Sequence, residues 1–262
     1  MTPESYLNPY APQPSLCAED VFPVTQGPSC PLSEAPRPTL PGGGECCCKM
    51  GMAQALRLLC DPELSELIDF EAFAFLTHDL VVGGQTVAAG AAAAAQDNIP
   101  ALGASFRRFS PCNCDLLEIA APVYPAVPGA GLLFGSVDQV SLCAVKAIAF
   151  GVEAAAEGGV EDPAAAFRRA SWLLRRRISS VGTPSGCGAC QAHCDCDNCC
   201  CTAGILAELS GRNLSRRATL VTGTLVLQNV TVLGSVDGAL VLANDEQNRF
   251  YFVCAEAIEA LA

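Results

Sequence analysis

Histidine is nearly missing from this chain: of 262 residues, only His78 and His193 carry an imidazole. A multicopper oxidase draws on about ten histidine ligands, so that chemistry is excluded by counting. Two histidines also give no secure Ser-His-Asp order, and glycine stretches such as "GGQTV" and "GTLVL" lack the pattern of a phosphate loop. An enzyme is therefore not expected. Basic charge is scarce as well, with 15 Lys and Arg against 27 Asp and Glu, a net charge of −12 and a pI near 4.5. Such a field repels phosphate backbones and anionic headgroups, so neither nucleic acid nor a membrane is expected as a partner. Apolar runs stay short of the about 18 residues that a spanning helix requires. The N-terminus "MTPESYLNPYAPQPS" has no basic segment followed by an apolar one, so a secretory signal is not expected and synthesis in the cytosol is.

What the chain does have is apolar mass and thiols. Apolar residues make up 51% of it, with mean hydropathy +0.33, enough to bury a core. Residues 1–44 hold ten of the 18 prolines and end in "PGGGE", which reads as an extended, disordered arm carrying Cys17 and Cys30. Order is expected from "ECCCKMGMAQALRLLCDPELSELIDF", where Met52, Leu56 and Leu59, then Leu64, Leu67 and Ile68, fall at helical spacing. Asp61 and Pro62 read as the N-cap and first position of the second short helix. "AAGAAAAAQDN" suits a loop or a short helix equally. Strand-like runs follow or flank it: "FEAFAFLT", "HDLVVGGQTV", "ASFRRFS", "CDLLEIAAPV" and "VSLCAVKAIAFGVEA".

From Asp162 and Pro163 the plan restarts with a helix whose apolar stripe is Phe167, Ala170, Leu174 and Ile178. Then "CDCDNCCCTAGILAELSG" combines cysteines, a helix and a glycine stop, and the stretch from Ala218 onward alternates β-rich runs with "DG" and "NDEQN" turns, as a meander or small barrel would. "CCCKMGMAQALRLL" echoes "CCCTAGILAELSG", "CNCD" echoes "CDCD", and "SLCAVKAIAF" shares a Cys-Ala pattern with "FVCAEAIEAL". These echoes predict an α+β fold of two related halves, residues 45–160 and 161–262, each a cysteine-tipped helix laid on antiparallel strands.

Seventeen cysteines need an explanation, and seven of them crowd the fifteen residues "CGACQAHCDCDNCCC", Cys187 to Cys201. Zinc is one option, since Cys187 and Cys190 form a CxxC and His193, Cys194, Cys196 and Cys199 follow at ligand-like distances. A structural site, however, usually draws two short-spaced pairs from either side of a folded span, and that span is missing here. Thiol redox catalysis is another option, but it wants a CxxC after a strand and at a helix N-terminus, whereas this one follows the loop "VGTPSG". The triplets Cys46, Cys47, Cys48 and Cys199, Cys200, Cys201 argue differently. Successive side chains point about 100° apart on a helix and to opposite faces on a strand, so three in a row cannot converge on one partner. Divergent thiols suit a node that ties one segment to several others. An odd total also leaves at least one thiol for a neighbouring molecule in an oxidising setting. Cys60, Cys143 and Cys254 lie on apolar faces and read as core residues.

The segments "CCCKMGMAQALRLLCDPELSELIDFEAFAFLT", "FRRFSPCNCDLLEIA" and "LCAVKAIAF" resemble the clostridial CotA family of cysteine-rich spore coat proteins, a family distinct from the copper oxidase of Bacillus coats that shares the name. The resemblance is strongest over residues 45–150. It implies a structural component of the spore coat or exosporium, made in the mother-cell cytoplasm and cross-linked by disulfides once that compartment turns oxidising. It also implies self-association into a homo-oligomer or lattice, together with other coat proteins. The expected cross-linking set is Cys46, Cys47, Cys48, Cys187, Cys190, Cys194, Cys196, Cys199, Cys200 and Cys201, with Cys112 and Cys114 behind them, and no cofactor or metal is assigned. A zinc-binding cysteine-rich scaffold is the alternative. Arginines 168, 169, 175, 176 and 177 form a basic helix face, compatible with a solvated surface or with docking on an acidic patch of an identical neighbour.

Overall fold

The computed structural model describes residues 47–77, 80–84, 97–99, 101–109, 116–125, 134–153, 162–181, 217–222, 225–236 and 238–261. Helices α1 (Cys47–Leu58) and α2 (Pro62–Ser65) come first. Strands β1 (Ile68–Leu76), β2 (Leu80–Val82), β3 (Ser105–Phe109), β4 (Leu116–Pro125), β5 (Phe134–Ser141) and β6 (Ala147–Val152) follow. Helix α3 (Pro163–Val181) leads to β7 (Arg217–Thr222), β8 (Leu225–Val236), β9 (Ala239–Asn244), β10 (Arg249–Cys254) and β11 (Ala260–Leu261). No described helix is long and apolar enough to cross a membrane.

Both Asp-Pro starts are realised. The Asp61 carboxylate accepts from the backbone N–H of Glu63 (3.0 Å) and Leu64 (3.2 Å), with Pro62 at the first position, where its missing N–H is not needed. Asp162 accepts from Ala164 N–H at 3.3 Å ahead of α3. Asp61 also ion-pairs with Arg177, so a single carboxylate caps α2 and ties it to α3. The second helix is shorter than the spacing predicts: Leu64 is in it, but Ile68 already opens β1.

The expected pair of α+β halves is not what forms. Among the described residues, 52% are in strands and 28% in helices, and the eleven strands make one antiparallel sheet. Its order is β11, β7, β8, β9, β10, β6, β1, β2, β4, β3, with β5 on the other edge of β4. The seam is the β10–β6 pairing, from Arg249 opposite Gly151 to Val253 opposite Ala147. Nor does each helix lie on its own strands: α1 packs on β8, β9 and β10, far along the chain, and α3 on β8 and β6. Local periodicity reports which residues are strand-like but carries no information on which distant strand closes the ladder. The run "VSLCAVKAIAFGVEA" is also interrupted, because a 3₁₀ turn, Leu142–Ala144, separates β5 from β6.

Strand alternation explains how both faces are buried. Phe73 and Phe75 of β1, Ile148 and Phe150 of β6, Val241 of β9 and Phe250 and Phe252 of β10 face the helices, joined by Met52 and Leu56 of α1, Leu59 just after it, and Phe167, Leu173 and Leu174 of α3. The intervening residues, among them Leu76, Ala149, Leu242, Tyr251 and Val253, build a second core on the opposite face with Leu225 and Leu227. Gly83 lets the chain turn tightly at the end of β2: its φ is +84°, and a Cβ there would stand 2.7 Å from Phe73 O and from Ala104 N.

Candidate functional site

Of the expected cross-linking residues, the structure places Cys47 and Cys48 in the first turn of α1, consecutive positions about 100° apart around its axis. Cys46, Cys112, Cys114, Cys187, Cys190, Cys194, Cys196, Cys199, Cys200 and Cys201 lie outside the described residues, as do His78, His193 and the whole 1–44 segment.

The three cysteines expected in the core are instead placed in three different settings. Cys60 follows α1, half-buried against the helix-side core. Cys143 is exposed on the 3₁₀ turn Leu142–Ala144. Cys254, at the end of β10, is 6% exposed and disulfide-bonded. The Cys-Ala echo that made Cys143 and Cys254 look equivalent is out of register. The turn Ala255–Ala257 has nearly the same flanking backbone angles as Leu142–Ala144: N-cap φ, ψ of −62°, 121° against −74°, 124°, and C-cap angles of −79°, 119° against −79°, 120°. Aligned on these turns, Cys254 matches Ser141, before the turn, and Cys143 falls inside it. A buried sulfur at a strand end reads the same in sequence whether it is bonded or not, so spacing alone gave no signal for the disulfide.

On the second face lies a polar cluster that sequence reasoning missed. Residues 97–99 cross over the C-terminal strands, and the Asp97 carboxylate is fully buried there. It accepts from Arg249 Nη1 at 2.9 Å on each oxygen, from the Tyr251 hydroxyl at 2.6 Å, from Ile99 N–H at 2.9 Å and from Gln247 Nε2 at 3.4 Å. Arg249 also donates to Ile99 O at 2.5 Å, and Asn98 Oδ1 accepts from Val226 N–H of β8 at 3.0 Å. Asn244 Oδ1 accepts from Glu246 and Gln247 N–H, fixing the turn from which Gln247 reaches Asp97. With both carboxylate oxygens occupied by protein donors, the cluster is built as a clasp between chain segments.

The clasp makes a pH prediction. Burial first, then the negative charge of Asp97 and the hydrogen bond to it, hold the Tyr251 phenol well above its usual value of 10.0, outweighing the opposing effect of Arg249. The folded state thus keeps this proton more tightly than the unfolded one, so its contribution is intact below about pH 10 and declines as pH rises towards the folded value. In an ultraviolet tyrosinate titration, one of the four phenols is expected to ionise only as the fold opens. Tyr251→Phe should remove that step, while lowering neutral-pH stability by about 1–2 kcal/mol. Ionisation of all four phenols before unfolding would contradict this.

The family described as spore coat protein CotA-like matches residues 46–262. A spore coat protein CotA of Clostridioides difficile is 32% identical over 269 residues, spanning 83% of this chain and 84% of the relative. No solved structure matches the chain.

Proposed function

The chain belongs to the family of CotA-like spore coat proteins, and from that membership we propose that it is an architectural coat component that associates with copies of itself and with other coat proteins and is fastened by disulfides between chains. Its place is the spore coat, and the family is a structural one. The observation that carries the finer reading is the load of 17 cysteines, of which Cys254 is already bonded within the chain. The fold accommodates oxidised sulfur, and an odd total cannot be paired internally without a remainder. A disulfide closing a loop within one chain stabilises it by roughly 2–4 kcal/mol, whereas one between chains turns a reversible contact into a permanent one. The divergent triplets Cys46 to Cys48 and Cys199 to Cys201 are the proposed nodes, with Cys187, Cys190, Cys194, Cys196, Cys112 and Cys114 as further links.

Oxidised full-length protein is expected to run on a non-reducing gel as a ladder of multimers that collapses to monomer with dithiothreitol, and mass spectrometry of native coat material should find these cysteines in interchain peptides. A monomer band under oxidising conditions would overturn the reading. So would about one zinc per reduced chain bound through Cys187 to Cys201, the signature of a metal scaffold.

A further inference from the structure

Trp172 is the only tryptophan of the chain and, among the described residues, the one large hydrophobic side chain left exposed, at 57%. Helix α3 turns Ala166, Phe167, Ala170, Leu173, Leu174 and Ile178 into the core, so Trp172 stands on its outer face. Arg168, Arg169, Arg175 and Arg176 occupy the positions four before, three before, three after and four after it, which are the surface neighbours of a helical residue. All four are exposed, and the Arg176 guanidinium lies 5.3 Å from the centre of the indole ring. Arg177, the fifth arginine, pairs with Asp61. The outer face of α3 is therefore an aromatic centre ringed by four cations, with no carboxylate anywhere in the helix.

An indole exposed at 57% amid four arginines, on a helix without a single carboxylate, gathers apolar area and positive charge on one face. Trp and Arg are also the residue types that concentrate binding energy at protein interfaces. The complement is available on the chain itself: with five of the 15 basic residues in α3, ten remain elsewhere against all 27 acidic ones. Exposed acids such as Glu71, Asp138, Asp245 and Glu256 lie on other elements.

We propose that the Trp172–arginine face of α3 docks onto an acidic surface of a second copy of the chain. Two such faces cannot meet each other, because cation would oppose cation, so the contact is heterologous: one face of one copy on a different face of the next. A heterologous contact that does not close into a ring propagates without limit, the geometry a continuous layer needs. This deepens the coat reading and rests on it, with the non-covalent contact setting the register that disulfides then lock.

The test is sedimentation of the full chain under a mild reductant that breaks exposed interchain bonds, with far-ultraviolet circular dichroism and the urea midpoint confirming the fold. Wild type is expected to self-associate with concentration, and to dissociate as sodium chloride rises from about 50 to about 500 mM, where the Debye length falls to a few ångström. Trp172→Ala, and separately Arg168→Glu with Arg169→Glu, Arg175→Glu and Arg176→Glu, should each weaken association about tenfold or more with unchanged dichroism, since every altered side chain is exposed. Association unchanged in both folded variants, or a wild type monomeric at every concentration, overturns the docking surface. So does tight binding of duplex DNA by this face without self-association. The two readings fail separately: variants that still associate, with a disulfide ladder intact on the non-reducing gel, sink the α3 surface alone. Salt-sensitive, α3-dependent association with no ladder sinks the disulfide reading alone.

Discussion

Asp97→Ala is expected to destabilise the protein by about 3–5 kcal/mol, because it removes one partner of a buried ion pair and leaves the other without its carboxylate. Arg249 is only 13% exposed, so water cannot take over the lost bonds. The Tyr251 hydroxyl, fully buried, would lose the closer of its two acceptors in the same step, keeping only Gln247 Oε1 at 3.3 Å. The cost falls on long-range closure as well as on local contacts, since residue 97 reaches its partners across more than 150 positions of chain. Asp97→Asn should cost less, because the amide oxygen still accepts although the charge is gone. In urea unfolding, Asp97→Ala should lower the midpoint with the slope unchanged. Pairing Asp97→Ala with Arg249→Ala should cost clearly less than the sum of the single changes, since the two side chains share one interaction. A loss below about 1 kcal/mol for Asp97→Ala would show that the clasp is open to water and contributes as little as a surface pair.

The same residues show what was legible before the structure. Asp61-Pro62 and Asp162-Pro163 announced helix starts because the cap and the fixed φ are properties of the dipeptide itself. Phe167, Ala170, Leu174 and Ile178 announced a buried stripe, and all four are buried. The order β7, β8, β9, β10 followed from short connections such as the "NDEQN" turn, closed by Asn248 at φ +51°. Asp97 announced nothing: it sits after an alanine run that suits a loop or a helix, and its partners are near the other end of the chain. The β10–β6 seam was equally silent, since an alternating strand fits any partner with the right pleat, and assigning each helix to the strands beside it in sequence produced the two-half picture that the continuous sheet replaces. Of the candidate site, only Cys47 and Cys48 of the triplets are among the described residues. The bond at Cys254 was hidden, because burial and spacing are the same for a thiol and a half-cystine.

The seam is where the second large effect is expected, on Phe150→Ala, at about 3–5 kcal/mol. Phe150 is fully buried and stands directly opposite Phe73 of β1 on one side and Phe250 of β10 on the other, so three phenylalanines form one row across three adjacent strands. Ring centroids are 5.4 Å apart to Phe73, 5.5 Å to Phe250 and 4.8 Å to Phe252, within the range of favourable aromatic pairs. Phe250 in turn stacks at 4.6 Å on Phe167 of α3, so the row also anchors the helix that carries the exposed Trp172. Truncating the middle ring removes its transfer energy, opens a cavity between strands that cannot collapse without breaking the β6 ladders, and loosens α3 through Phe250. Phe70, half-buried at the rim and touching the row only through Phe73 at 5.9 Å, is the control: Phe70→Ala should cost about 1–2 kcal/mol. Against a total stability of about 5–15 kcal/mol for a typical domain, the Phe150 variant should show a midpoint well below that of the Phe70 variant in urea. Equal midpoints would mean that the sheet does not depend on the contact joining its N-terminal and C-terminal strands.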